Sequence, residues 1–322
     1  MLSPDRSRNE KNDDDQLQQT MSVELTQGPL HAMSVDVEDY FHVAALSNVI
    51  RPDQWDSLPS RVQRNTERLL SLFDEHDVKA TFFVLGWVAE RFPELIRTLS
   101  DHGHEIASHG YSHQLIYNQT PEVFREETLR SKRILEDITG TEIKGYRAAS
   151  YSITRESLWA LDILSEAGFT WDSSIFPIRH DRYGIPDSPS TPYSIETSNG
   201  NVIHEFPLTT AHVLGLSIPA AGGGYFRQFP YPVFRYLFRN ASGFGKRPQM
   251  FYLHPWEIDP DQPRYDNASW FSRFRHYRNL DRCYGRLERL LGDFRFGTVT
   301  QSYNAYELDK TLLRSNEMIR LA

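Results

Sequence analysis

The stretch His31–Asp39, HAMSVDVED, decides the fold, because it joins a short apolar run to a cluster of acids. Residues 31–37 predict a β-strand. An amphipathic helix is predicted over 61–76, and a second strand, rich in Phe and Val, over 80–85. Two strands separated by a helix form a βαβ unit, in which the strands run parallel. The chain therefore starts as a parallel α/β structure.

The same alternation continues along the chain. Further helices are predicted at 87–100, 120–140, 155–167, 230–240 and 275–291. Further strands are predicted at 104–108, 143–148, 169–172, 202–208, 250–254 and 296–300. Thr120 is the expected N-cap and Gly140 the expected C-cap of one helix. Residues 176–200 read as a long loop, and the glycines at 222–224 as a flexible turn. Seven or eight units favour a closed or nearly closed barrel over an open sheet.

The composition of the chain argues against several classes of protein. The chain has 322 residues, 39% of them hydrophobic, which is enough for a sizeable core. Its formal net charge is -8 and it has no dense Lys/Arg block, which argues against nucleic acid and anionic membrane surfaces as partners. The longest apolar run, at about 80–89, is too short to span a bilayer. Cys283 is the single cysteine, which excludes an internal disulfide and fits a reducing compartment.

The first residues differ in character from the rest. Residues 1–28 are polar and acidic, and we expect a disordered extension. They show no secretory signal, so a cytoplasmic location is expected. Residues 29–322 are expected to form one barrel domain, with a distinctive C-terminal region at about 222–322.

Two acids stand at the end of the first predicted strand. Asp36 and Glu38 are two residues apart, so a strand places both on one face. Two carboxylates so close repel each other unless a cation is near, and one can then bind the metal while the other moves protons. Asp39 is an alternative ligand. The competing interpretation is an acidic strand end that faces solvent.

His109 and His113 have H-x-x-x-H spacing, which puts two rings on one face of a helical turn. Two histidines and one carboxylate can hold a catalytic metal with an open coordination position. The same ligands also describe non-haem iron oxygenases, which usually use antiparallel β-folds. Such a histidine pair also arises by chance, since the chain has twelve histidines.

Three more polar residues, Arg147, Asp172 and His254, follow predicted strands, at the barrel end that carries active sites. An arginine keeps a nearby carboxylate ionised, and an aspartate beside a histidine raises the histidine pKa. The competing interpretations are a surface arginine, an Asx-turn and a core histidine. Trp256, with Tyr225 and Phe226, predicts an aromatic wall suited to sugar rings.

Five motifs follow one another along the chain, at Asp36 and Glu38, His109 and His113, Arg147, Asp172, and His254. In this order they resemble the polysaccharide deacetylase family, also called the NodB-homology domain or carbohydrate esterase family four, over roughly residues 31–300. The segments at 222–227, 252–257 and 274–277 resemble the subgroup associated with exosortase-linked exopolysaccharide loci. The chain departs from the usual pattern in two ways. Glu38 stands two residues after Asp36 where the family has adjacent aspartates, and Ala149 and Ser150 stand where a proline is common.

The resemblance implies a distorted (β/α) barrel of about seven to eight parallel strands, with a long loop and a C-terminal extension. It implies a metal-dependent hydrolase that removes acetyl groups from N-acetylated amino sugars of a polysaccharide or its precursor, in exopolysaccharide biosynthesis. The expected partner is therefore an N-acetylated glycan. A metal-independent amidohydrolase and a non-catalytic glycan-binding protein stay open as alternatives, as does an O-acetyl substrate.

The resemblance also assigns roles to residues. Glu38, His109 and His113 would hold a divalent metal; zinc is expected, and cobalt or nickel can share such ligands. Asp36, held ionised by Arg147, would take a proton from water. His254, kept protonated by Asp172, would protonate the leaving amine. A backbone N–H near Tyr151 would stabilise the oxyanion, and Leu253 would contact the acetyl methyl.

Overall fold

A curled, mostly parallel β-sheet organises this computed structural model, which describes residues 28–180, 182–213, 215–310 and 318–320. The strands of the main sheet are β1 His31–Val37, β2 Thr81–Val84, β3 Glu105–Ser108, β4 Gly145–Tyr146, β5 Trp171–Asp172, β6 Tyr193–Glu196, β7 Val202–Glu205, β10 Met250–Leu253, β11 Phe296–Gly297 and β12 Met318–Arg320. A separate hairpin consists of β8 Thr210–Val213 and β9 Leu216–Pro219.

The order of the main sheet is β10-β1-β2-β3-β4-β5-β7-β6-β12, and β11 also pairs with β1. Every pairing from β10 to β7 is parallel, and β6 runs antiparallel to β7. The sheet curls into a half-barrel. The prediction of a distorted (β/α) barrel is thus confirmed. The barrel is not closed within the described residues, because the two end strands of the sheet do not pair with each other.

The helices lie in the connections between strands. Their bounds are α1 Val62–Glu75, α2 Gly86–Arg91, α3 Pro93–Asp101, α4 Pro121–Thr139, α5 Trp159–Glu166, α6 Gly223–Gln228, α7 Tyr231–Ala241, α8 Trp270–Tyr277, α9 Leu280–Asp293 and α10 Val299–Lys310. Short 3-10 helices occupy Pro52–Ser57, Ile116–Asn118, Ala149–Tyr151, Arg155–Ser157 and Pro255–Ile258.

Both predicted caps of α4 are present. The Thr120 side chain accepts a hydrogen bond from the Val123 N–H at 3.4 Å, and Gly140 ends the helix in the left-handed conformation with φ 66°. Local sequence signals were sufficient here because caps depend on neighbouring residues only.

Several elements differ from the sequence prediction. Helix α10 begins inside the predicted strand at 296–300, and α8 and α9 replace the single helix predicted at 275–291. Strand β6 lies inside the predicted long loop, and the β8–β9 hairpin was not predicted. Helix α6 begins within the glycine triplet, where a flexible turn was expected. Gly222 has φ 131° and approaches β10 so closely that a Cβ would lie 2.0 Å from the Tyr252 carbonyl oxygen. The triplet is therefore a close-contact point between two backbones.

The core lies between the sheet and its helices and contains most of the apolar side chains of β1, β2 and β10. No helix of the described residues is both long and apolar enough to cross a membrane. The predicted disordered extension falls outside the described residues except for Gly28, and the predicted C-terminal region is described over 222–310 and 318–320.

Candidate active site

The carboxyl ends of the parallel strands bring the polar residues together. Asp36 is in β1, and Glu38 follows it after a tight turn in which the Glu38 N–H donates to the Asp36 carbonyl at 3.0 Å. His109 follows β3, Arg147 follows β4, and His254 follows β10. Because parallel strands all end at the same edge, residues far apart in sequence form one site, as the sequence predicts.

Arg147 is fully buried and fixes Asp36. Its Nη1 donates to Asp36 Oδ1 at 2.6 Å and to the Ser34 hydroxyl at 2.9 Å. Its Nε and Nη2 donate to the carbonyl and the hydroxyl of Ser173. The guanidinium also lies 3.8 Å from the centre of the Phe83 ring. A buried, charge-assisted ion pair of this kind holds the carboxylate in one orientation.

Glu38, His109 and His113 form a candidate metal centre. One ligand atom from each lies within 4.8 Å of the others. Glu38 Oε2 is buried without a hydrogen-bond partner in the described structure, although it is 2.8 Å from His113 Nε2. An acceptor left unpaired beside two imidazole nitrogens is the arrangement that a shared cation satisfies. These residues fit a divalent metal.

The electrostatics of the three side chains suit that role. His109 Nδ1 lies 2.8 Å from the Arg147 carbonyl, which leaves Nε2 to face the cluster. Burial lowers the pKa of His109 to about 4, so its ring is neutral and can donate a lone pair. Burial alone would raise the pKa of the Glu38 carboxyl, but His113 and His254 hold that pKa below its usual range. A neutral imidazole and an ionised carboxylate are the forms that bind metal.

The two histidines are not placed by a helical turn, as their spacing had predicted. Residues 109–113 form a bend after β3, in which Gly110 has φ 73° and His113 has φ 53°. Two left-handed residues reverse the chain, and the ring centroids of His109 and His113 come to 5.4 Å. The prediction of a helical turn over residues 109–113 was wrong, but the two imidazole rings lie close together, as predicted.

Asp39 has a structural role and lies outside the metal centre. Its Oδ2 accepts hydrogen bonds from the Ser60 hydroxyl and from the N–H groups of Arg61 and Val62. This carboxylate therefore caps the start of α1, where an anion is favourable. Of the two candidate acids, Glu38 is the one that faces the histidines.

His254 meets a different carboxylate from the predicted one. Its Nδ1 lies 3.1 Å from Glu257 Oε1, and its Nε2 lies 3.4 Å from Glu38 Oε1 and 3.8 Å from Asp36 Oδ2. Burial alone would lower the pKa of His254, but Glu38, Glu257 and Asp36 raise it to about 9. The prediction that Asp172 keeps His254 protonated is wrong, because Asp172 is not among the carboxylates within ion-pair distance of that ring.

Asp172 instead supports the other side of the site. It accepts hydrogen bonds from the Ser174 hydroxyl at 2.6 Å and the Ser174 N–H at 3.1 Å. The Ser174 hydroxyl in turn accepts a hydrogen bond from the Ala148 N–H at 2.7 Å. Glu205 lies beside Asp172 in register across β5 and β7, and both are fully buried. Asp172 therefore positions the chain around Arg147.

Glu257 was missed by the sequence analysis. It follows His254 by three residues in the 3-10 helix, and Pro255 between them signals the turn that brings the two together. Glu257 is 1% exposed, and its Oε2 is 3.6 Å from Nε of the buried Arg227. Arg227 also donates to the carbonyls of His276 and Arg278. The Glu257 carboxylate therefore lies between His254, beside Oε1, and Arg227, beside Oε2.

Tyr151 reaches the site with its side chain. Its hydroxyl is 3.4 Å from Asp36 Oδ2. Its backbone N–H donates to the Ala148 carbonyl at 3.0 Å, so the predicted oxyanion donor is already engaged in this conformation. Ser150 and Tyr151 both have positive φ, 51° and 55°. Consecutive non-glycine residues in this region are strained, which is frequent at functional sites.

The substrate contacts of Leu253 and Trp256 stay a prediction, and both side chains are buried. Leu253 is fully buried in the main core, and its side chain points away from the face used by its neighbour His254. Trp256 is 6% exposed and stacks on both His254 and His276, so little of its ring is open to a sugar in this conformation. Its Nε1 donates to Glu38 Oε1 at 3.2 Å, which fixes the candidate ligand.

The residue that shares the face of His254 is Tyr252, two positions earlier in β10. Its ring centroid is 5.6 Å from that of His254 and 5.2 Å from that of Tyr151. The period-2 alternation of a strand could have identified it. Tyr252 and Tyr151 together form the aromatic side of the site.

The sequence relationships agree with this geometry. Residues 54–171 match the family model described as polysaccharide deacetylase, and residues 173–304 match a domain of unknown function (DUF3473). The site draws on both segments and on β1, which precedes them. His254 and Glu257 belong to the segment of unknown function, and β10 pairs directly with β1.

Curated relatives match part of the chain. It is 33% identical over 98 residues to a peptidoglycan-N-acetylglucosamine deacetylase of Bacillus cereus, covering 30% of this chain and 36% of the relative. It is 34% identical over 111 residues to a peptidoglycan deacetylase of Helicobacter pylori, covering 34% and 36%. The chain thus spans about a third of the length of these relatives.

A solved structure from Mycobacterium smegmatis, assigned to the polysaccharide deacetylases, superimposes with a TM-score of 0.60 at 20% identity, covering 92% of this chain and 95% of that one. At this identity the likeness shows the fold alone. The family model and the curated relatives show that a part of the chain, which includes residues 54–171, is similar to polysaccharide deacetylases.

Proposed function

We propose that this protein is a metal-dependent hydrolase that removes acetyl groups from N-acetylated amino sugars of a polysaccharide or its precursor. One observation carries the proposal: Glu38, His109 and His113 converge beside an arginine-bound Asp36 and a carboxylate-bound His254. The Bacillus cereus relative, which is named a peptidoglycan-N-acetylglucosamine deacetylase, supports the substrate class.

The residues divide the chemistry between them. Glu38, His109 and His113 would hold the divalent metal, with zinc as the proposed ion. When bound, such an ion polarises the acetyl carbonyl and lowers the pKa of water from about 15.7 towards about 7. Asp36, oriented by Arg147, accepts a proton from the attacking water. The water oxygen bonds to the acetyl carbon, and the C–N bond then breaks.

His254 supplies the proton that the leaving nitrogen needs. Its raised pKa, about 9, keeps the ring protonated near neutral pH. Glu257 holds Nδ1, so Nε2 is the atom that faces the reaction. The products are acetate and a free amino sugar. General acid and general base groups of this kind each contribute roughly 10²- to 10⁴-fold to a rate.

A role in exopolysaccharide biosynthesis is part of the proposal. It is supported by the resemblance of segments 222–227, 252–257 and 274–277 to the exosortase-associated subgroup. Deletion of the chromosomal copy is expected to raise the acetyl content of the secreted polysaccharide. Unchanged acetylation would contradict this role without affecting the proposed reaction.

The test of the reaction is Asp36→Asn, assayed by acetate release from N-acetylglucosamine oligomers. We expect loss of release by at least roughly 10²-fold, with metal content and circular dichroism unchanged. Asp137→Asn, the same substitution at an exposed position of α4, is the matched control and should keep full activity. A fully active Asp36→Asn protein with its metal bound would refute the assignment. Glycan binding without acetate release by the unaltered protein would favour a non-catalytic glycan-binding function.

A further inference from the structure

Helix α8 presents an exposed face made of aromatic and arginine side chains. Trp270, Phe271 and Phe274 are 70%, 60% and 37% exposed, which is uncommon for large apolar groups. Arg275 and Arg278 are exposed on the same side. The positions follow the three- and four-residue spacing of one helix face. Residues 269–279 contain no Asp or Glu. We call these five side chains the α8 face.

The α8 face lies on the same side of the molecule as the candidate active site. Helix α8 is in the connection that leaves the carboxyl end of β10, which is the edge that carries His254. On its inner side, His276 is buried and its ring stacks on Trp256 at 4.5 Å, while Trp256 stacks on His254 at 5.2 Å. The helix is therefore firmly joined to the site, and its outer face has no partner within the described structure.

The arrangement of the rings distinguishes between two kinds of partner. Arg275 lies over the Phe271 ring at 5.5 Å, and Arg278 over the Phe274 ring at 4.7 Å. Trp270 stacks on Phe274 with centroids 5.4 Å apart. A platform for sugars needs free ring faces, and a guanidinium group or another ring lies over a face of each of these rings, which reduces the surface available for stacking on a sugar. Ring edges beside guanidinium donors suit a phospholipid interface, where aromatic rings lie at headgroup level and arginines meet phosphate.

We propose that the α8 face docks the protein on an anionic phospholipid surface, with the active-site side of the molecule towards the membrane. The aromatic rings would enter the headgroup region, and Arg275 and Arg278 would pair with lipid phosphates. The net charge of -8 argues against anionic surfaces for the chain as a whole, but it does not describe this local face, which carries arginines and no acid. The proposal goes beyond the deacetylase function and does not depend on it.

Co-sedimentation of the full chain with vesicles tests the docking. One vesicle set is an equimolar mixture of phosphatidylglycerol and phosphatidylcholine, and the other is phosphatidylcholine alone. The informative variant is Phe271→Ser. Its matched control is Phe244→Ser, since Phe244 is 64% exposed but lies in the turn that leads into the amino end of β10. Circular dichroism checks that both variants fold.

We expect the unaltered chain and Phe244→Ser to bind the mixed vesicles, and to bind phosphatidylcholine vesicles more weakly. Phe271→Ser should weaken binding to the mixed vesicles by roughly tenfold. Replacing Arg275 and Arg278 together by Gln should abolish the preference for the anionic lipid, and added salt should reduce that preference in the unaltered chain.

The proposal is overturned if Phe271→Ser binds the mixed vesicles as tightly as the unaltered chain, or if neither binds them. It is also overturned if Phe271→Ser weakens binding to soluble N-acetylglucosamine oligomers and leaves vesicle binding unchanged, which would make the α8 face a glycan platform. Acetate release from the same oligomers is measured separately, without vesicles. Its absence would count against the deacetylase function and would leave the docking result standing.

Discussion

At the scale of single residues, the site separates the groups that hold a metal from those that move protons. Glu38 illustrates the separation, because it faces two histidines while its neighbour Asp39 caps a helix. Asp36 is only two residues earlier, yet Arg147 gives it a different environment. Three acids within four positions thus have three distinct roles, each set by the groups that surround its carboxylate.

The role of Glu257 leads to a specific prediction. Glu257→Gln should lower kcat for acetate release by on the order of tenfold or more, because the amide no longer stabilises the protonated His254 ring. KM and metal content should change little, since Glu257 contacts neither the substrate region nor the three candidate ligands. Glu257→Asp should recover part of the lost rate.

The variant Asp172→Asn shows which carboxylate keeps His254 protonated, because Asp172 is the partner that the sequence predicted. If Glu257→Gln leaves kcat unchanged, Glu257 has no part in proton transfer. If Asp172→Asn shifts the alkaline limb of the pH–rate profile and Glu257→Gln does not, Asp172 is the partner of His254 after all.

These residues also show how far the sequence could predict the site. The alternation of β1 predicted a common face for Asp36 and Glu38. The two side chains do reach one site, but β1 ends at Val37 and a tight turn places Glu38. The alternation could not predict which carboxylate meets His254, since that depends on how distant loops approach one another. Glu257 was within reach of a local argument, through the turn at Pro255, whereas the left-handed backbone of His113 had no signal in the sequence.

At the scale of elements, the contact between the glycine triplet and β10 fixes the position of the strand that carries Tyr252 and leads to His254. The Ala221 carbonyl accepts the Tyr252 N–H at 2.7 Å, and Gly222 forms an isolated bridge with Tyr252. This contact fixes the strand that ends at His254. Periodicity predicted strand β10 correctly, but it identified the glycine triplet as a flexible turn, because a glycine required by close packing resembles a glycine required by a turn.

A pair of glycine substitutions tests this contact. Gly222→Ala should lower the free energy of unfolding by roughly 2 kcal/mol or more, because the added Cβ meets the Tyr252 carbonyl at 2.0 Å and φ is 131°. Gly224→Ala is the matched control. It lies in α6, and its Cβ would lie at an ordinary contact distance of 3.6 Å from Gln228 Nε2. Helix propensity predicts a gain of up to about 1 kcal/mol for this variant. Urea unfolding of both variants measures the difference. Equal effects would mean that the close approach is not important for stability.

At the scale of the whole molecule, one sheet joins two segments that match different families. Strands β2 to β4 lie within the polysaccharide deacetylase match, which ends in the middle of β5. Strands β6 to β11 lie within the domain of unknown function, and β1 pairs with a strand from each segment. The sequence predicted the alternation of strands and helices, and so the barrel. It did not predict the antiparallel strand β6, whose four residues lie among prolines and serines typical of a loop.

The buried carboxyl pair behind the site predicts how stability depends on pH. Burial raises the pKa of Asp172 from 3.8 to about 6, and raises that of Glu205 well above 4.5. A carboxyl whose folded pKa is raised contributes stability that is fully present below the unfolded pKa and is lost as pH rises through the folded pKa. This pair should therefore reduce the free energy of unfolding as the pH rises from about 4 through about 6 and above.

Glu205→Gln isolates that contribution, because the amide keeps the shape and hydrogen-bonding groups of a protonated carboxyl and does not titrate. We expect the variant to lose less stability than the unaltered protein between about pH 5 and about pH 8 in urea unfolding. A decline equal to that of the unaltered protein would show that the ionisation of Glu205 does not contribute to the pH dependence of stability.

The central claim is that the reaction depends on a metal held by Glu38, His109 and His113. The most direct measurement is acetate release from N-acetylglucosamine oligomers by one preparation as purified, after chelation and after the return of zinc, with metal content determined at each step. The account predicts that release disappears with the metal and returns with zinc, and that His109→Ala neither retains zinc nor recovers activity. Undiminished release by a metal-free preparation would contradict it and would favour a metal-independent amidohydrolase on the same fold.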